Sequence, residues 1–127
     1  MSGSTERHES AVARYLEAWN ATEPEALRKA VAAAWTADGS HTDPLADVRG
    51  HEQIAAVIAA VHEQFPGFAF RLLCTVDGRH DIARFGWELV NQADGPAPVA
   101  GSDVLTLDGE GRIRPVTGFL DRMPAQA

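Results

Sequence analysis

Pro66-Gly-Phe-Ala-Phe-Arg-Leu-Leu-Cys-Thr-Val76 is the stretch in which this chain changes its period. Before it, Ile54, Val57, Ile58, Val61 and Phe65 recur at three- and four-residue spacing. That stripe predicts an amphipathic helix over about residues 51–64. After it, Phe68, Phe70, Leu72, Cys74 and Val76 alternate with Ala69, Arg71, Leu73 and Thr75, the twofold period of a half-buried strand. Pro66-Gly67 is the stop between the two regimes.

Working backward from this boundary, Val12, Tyr15, Leu16 and Trp19 form the apolar face of a first helix over residues 6–21. Thr22-Glu-Pro-Glu25 reads as a capping box opening a second helix over about 23–35, with Leu27, Val31 and Trp35 inward. Asp38-Gly39 reads as a turn, residues 40–43 as a short strand ended by Pro44, and 45–50 as a loop. Working forward, Asp77-Gly78 is a turn signal, followed by a strand over 82–92 and a loop over 93–98. A third strand spans Val99 to Leu107, Asp108-Gly-Glu-Gly111 makes a hairpin turn, and a last strand covers 112–120. Helices gathered early and strands late predict one α+β domain over residues 1–127, with 1–5 a flexible lead-in. Three helices would pack on one face of a curved, mainly antiparallel sheet, forming a cone-shaped α+β barrel with a pocket.

The bulk composition narrows the function. The chain has 127 residues and is 45% hydrophobic, enough for one core without metals or disulfides. Its net charge is −7, and its basic residues form no run, which argues against nucleic acid as a partner. Cys74 is the single cysteine, so no intrachain disulfide framework exists, and its strand context reads as packing. No apolar run reaches transmembrane length and no basic-then-apolar leader opens the chain, so no membrane partner is expected and the cytoplasm is the expected location. No His and carboxylate spacing suggests a metal site, and no Gly-rich loop or nucleophile elbow is present.

Three polar residues stand in apolar patterns: Tyr15 on the first helix, Asp43 before Pro44, and Asp103 in the third strand. A carboxyl in an apolar wall is costly unless it is paired or kept neutral, so such groups mark acid–base sites. Asp103 admits two readings: a protonated donor to a developing oxyanion, or a carboxylate paired with His80 or Arg84. Asp43 reads either as a general base or as the turn starter of an Asp-Pro pair. His41 shares its strand face by twofold alternation. Tyr15 reads as a core residue unless its hydroxyl reaches the cavity. Trp19, His41, His80, Trp87 and Phe119 complete the candidate substrate-binding set.

Arg14-Tyr15, Trp19-Asn-Ala21, Trp35-Thr-Ala-Asp38, Thr42-Asp-Pro44, residues 50–54, Gly101-Ser-Asp103 and Asp108-Gly-Glu-Gly-Arg-Ile113 together resemble the nuclear transport factor 2-like superfamily, which includes the SnoaL-like polyketide cyclases and the ketosteroid isomerases. The resemblance runs from about Ala11 to Phe119. In the ketosteroid isomerase pattern, Tyr15 matches the helix-one Tyr, Asp43 the general base and Asp103 the protonated oxyanion-hole acid. The resemblance implies a cofactor-independent enzyme moving a proton next to a carbonyl, in an isomerisation or aldol-type cyclisation of a small apolar or aromatic carbonyl compound. The outer sheet face, carrying Leu73, Thr75 and similar residues, makes a sheet-mediated homodimer the expected assembly. Two alternatives remain: a hydrolase or cyclase using ionised Asp103 with His80 or Arg84, and a non-catalytic ligand-binding or dimerisation module.

Overall fold

The computed structural model describes residues 2–73, 75–91 and 97–122, with side chains from Glu6 onward. The expectations for Cys74, for residues 93–96 and for most of the tail lie outside the described residues. Helix α1 spans Ser2–Asn20, so it begins four residues before the expected start, and α2 spans Pro24–Ala34. The expected capping box does not form. Glu23, with extended backbone, is the N-cap and makes no side-chain capping bond, while Pro24 takes the first helical position. Proline there presets φ and has no N–H to satisfy, so it can open the helix without a capping side chain.

Strand β1, Trp35–Asp43, is longer than expected because Asp38-Gly39 is a bulge inside it. The register against its neighbour shifts between Trp35 and Ser40. The bulge folds over the fully buried Trp35, whose indole N–H donates to Ser40 O at 3.3 Å. A side chain at Gly39 would collide with that ring. The segment expected as a loop is strand β2, Ala46–Arg49, which pairs antiparallel with β1 around a Pro44-Leu45 turn. Asp43 Oδ1 accepts the N–H groups of Leu45 at 2.8 Å and Ala46 at 2.9 Å, which ties the turn shut.

Helix α3 occupies His51–Gln64, as the stripe predicts. The following strands are β3 (Phe68–Leu72), β4 (Asp77–Arg79), β5 (Ile82–Asn91), β6 (Val99–Leu107) and β7 (Ile113–Arg122). Asp77-Gly78 is strand rather than turn. The reversal comes at His80-Asp81, where His80 holds a positive φ of 51°.

The sheet order is β2-β1-β7-β6-β5-β3, with β4 beside β5. Only β1 and β7 run parallel among these pairings, so the sheet is mixed and mainly antiparallel, as expected. It curves around the three helices without closing. Along β6, Val99, Gly101, Asp103, Leu105 and Leu107 all face inward, so alternation carries Asp103 into the core. Burying each large apolar side chain of this face stabilises the fold by about 1.5–3 kcal/mol. Among the described residues no helix is long and apolar enough to cross a membrane.

Candidate active site

The sheet order decides which polar residues meet. Strand β7 lies between β1 and β6, with Asp103 opposite Gly118 and Thr42 opposite Thr117. Asp43 and Asp103 therefore reach the concave face on either side of Gly118. A Cβ added to Gly118 would stand 2.5 Å from Asp103 Oδ1 and 3.4 Å from Asp43 Cβ. Sequence reasoning missed this residue, although an interior strand glycine is itself a signal of close approach. Gly101 plays a similar part beside Trp87, since its own Cβ would fall 2.5 Å from the indole.

Helix α1 covers this face and delivers Tyr15, which is 2% exposed. Its ring is wedged among Trp19, Trp35 and Phe85, with centroids 5.5–6.2 Å away. The hydroxyl donates to Asp103 Oδ2. On the other side, His41 Nε2 bonds Asp43 Oδ2 at 2.9 Å. The His41 ring is 2% exposed and lies 5.3 Å from Trp19. The indole N–H groups of Trp19 and Trp87 are buried without a hydrogen bond of full geometry. Both nonetheless face the pair closely, Trp19 beside the Tyr15 oxygen and Trp87 beside the Asp103 carboxyl.

The two carboxyls are pushed in opposite directions. Burial pushes Asp103 above the ordinary carboxylate range, against the opposing pull of Tyr15 and Trp87 as donors. Asp43 also feels burial, but the His41 hydrogen bond and the N–H groups of Leu45 and Ala46 outweigh it and hold Asp43 below that range. Burial and the neighbouring Asp103 push the Tyr15 phenol well above its usual value, so Tyr15 keeps its proton. The site thus holds one carboxyl shifted toward the acid form and one shifted toward the carboxylate.

All four groups line one cavity of about 300 Å³. Trp19 and Trp87 line it, together with Phe65, Phe70, Leu89, Val99 and Leu120. Leu45, 72% exposed, stands at its edge. Two expected residues lie elsewhere. His80 is exposed at the β4–β5 reversal, where its carbonyl bonds Arg7 at 3.2 Å and His8 at 2.8 Å. Phe119 follows Gly118 by one position, so alternation turns it to the outer face, where it is 58% exposed. The pairing of Asp103 with His80 or Arg84 does not form: Arg84 is exposed and bonds Asp77 at 3.0 Å. Among the described residues, no group of three or more His, Cys, Asp or Glu could hold a metal ion.

Residues 12–116 match the model of the SnoaL-like domain. The chain belongs to the SnoaL-like family. A family structure from Agrobacterium tumefaciens str. C58, for which an isomerase activity has been suggested, is 40% identical and superposes with a TM-score of 0.84 over 91% of this chain and 97% of that one. A SnoaL-like structure from Jannaschia sp. CCS1, with a suggested polyketide cyclase activity, is 22% identical with a TM-score of 0.73, covering 91% and 85% of the two chains. An NTF2-like protein of unknown function from Cytophaga hutchinsonii ATCC 33406 shares the fold at 13% identity and a TM-score of 0.62, covering 90% and 89%. No curated protein matches the chain. Membership in the SnoaL-like family agrees with the sequence resemblance and leaves the chemistry to be argued from the site.

Proposed function

We propose that the protein catalyses proton transfer next to a carbonyl group in a small, mostly apolar molecule, without a cofactor. The observation that carries this reading is the pair of carboxyls in one cavity whose surroundings shift them in opposite directions. Asp43 takes a proton from the carbon beside the carbonyl. The electron pair of that C–H bond becomes the C=C bond of an enolate, the carbonyl π pair moves onto the oxygen, and Asp103 donates a hydrogen bond to that oxygen. Tyr15 acts through Asp103, donating to the carboxyl oxygen that does not face the enolate. Returning the proton to another carbon completes an isomerisation. Attack of the enolate carbon on a second carbonyl, with that oxygen protonated, completes an aldol-type closure.

The suggested isomerase and polyketide cyclase activities of the two structural relatives support the same class of chemistry. The hydrolase reading loses its motive, because the cation expected beside Asp103 pairs with Asp77 instead.

The test is exchange of α-protons for deuterium, followed by NMR on cyclohexanone, acetophenone and 3-cyclohexenone. The wild type should accelerate exchange in at least one probe, and Asp43→Asn should lower that rate at least about 100-fold. Equal rates in the two proteins would remove Asp43 as the base.

A further inference from the structure

We infer that His41 is a positioning residue, which holds Asp43 as a carboxylate and leaves it one open direction for an incoming proton. The inference rests on the proton-transfer reading above and names the residue that sets its base.

An ionised carboxylate offers about four lone-pair sites. Asp43 Oδ1 spends two, on Leu45 N at 2.8 Å and Ala46 N at 2.9 Å. Oδ2 spends a third on His41 Nε2 at 2.9 Å. Roughly one site remains for a proton arriving from the cavity that Asp43 lines. The imidazole cannot wander from this task. It is 2% exposed, packed against Trp19, and its strand face is fixed by pairing with Val116 of β7. Its Nδ1 is buried with no partner. The tautomer that suits this environment carries its proton on Nε2 and donates it to Asp43.

Among the described residues, the titratable groups facing Asp43 are His41 on its own strand, Tyr15 on α1 and Asp103 on β6. Among the described residues, helix α3 contributes Val61 and Gln64 to the cavity, with Phe65 just past its end, and β7 presents Gly118 and Leu120. Tyr15 keeps its proton and burial shifts Asp103 toward the acid form, so His41 is the side-chain donor that, with the N–H groups of Leu45 and Ala46, lowers the Asp43 titration.

The experiment titrates the Asp43 side-chain carbon by NMR in the wild type and in His41→Leu, His41→Gln and His41→Asn. A Gln amide can reach the place of Nε2, whereas an Asn amide falls short. His41→Leu and His41→Asn should titrate about one pH unit higher, and His41→Gln should stay near the wild type. If His41→Leu does not fold, the Gln and Asn variants decide. A folded Leu or Asn variant that titrates with the wild type overturns the inference. Deuterium exchange of cyclohexanone separates the two readings. A shifted titration in a protein whose wild type exchanges no probe ketone keeps His41's hold on Asp43 and removes the proton-transfer reading.

Discussion

Position 118 shapes the site by having no side chain. Asp103 Oδ1 and the Asp43 side chain both lie against its backbone, and a methyl there would sit 2.5 Å from the Asp103 oxygen. Gly118→Ala should therefore lower unfolding free energy by about 1–3 kcal/mol, as overpacking does. Gly109→Ala, which meets nothing within 4 Å, is the control and should change stability far less. Urea denaturation of both variants checks this, and equal midpoints would count against the close packing. Asp43 shows why one residue carried two readings in the sequence. The turn-starter reading is correct for Oδ1, which closes the Pro44-Leu45 turn, while Oδ2 faces His41 and the cavity. Asp103 was legible because its strand is otherwise apolar or small. Gly118 was not, because nothing in the sequence says which carboxyls flank it.

At the scale of the element, α3 follows from its unbroken apolar stripe and β6 from an apolar and small run between turn signals. Strands β1 and β2 do not. Asp38-Gly39 carries turn composition and 45–50 loop composition, yet β1 runs through the first as a bulge over the buried Trp35, and residues 46–49 of the second pair with β1 because Asp43 closes the hairpin. Helix α2 illustrates the limit of capping signatures. Glu23 has the extended backbone of an N-cap but no capping bond, although it precedes Pro24, Glu25 and Ala26. A shorter acidic side chain reaches the free N–H groups of Glu25 and Ala26 better. Glu23→Asp should therefore stabilise the protein by about 1 kcal/mol, read as a higher urea midpoint.

At the scale of the whole molecule, the two carboxyls give stability opposite dependences on pH. Asp43 is held below its ordinary range, so its contribution is present above the unfolded value of about 3.9 and fades as pH falls through the lower folded value. Asp103 is held above that range, so its contribution is present below about 3.9 and is lost as pH rises through the raised folded value. The Tm of Asp103→Asn relative to wild type should thus be more favourable at pH 8 than at pH 4, while Asp43→Asn should be more damaging at pH 7 than at pH 3. Thermal scans across this range check both, and differences that do not vary with pH would contradict the assigned environments. The sequence by itself determined the α+β class and the family and singled out Tyr15, Asp43 and Asp103 as candidates, because periodicity and an apolar setting are local properties of the chain. Only the tertiary structure decided that β7 would lie between β1 and β6, set Gly118 between the carboxyls, pair His41 with Asp43, and turn Phe119 and His80 away. Those are outcomes of strand order and register, and they join residues far apart in a sequence whose local patterns do not encode the pairing.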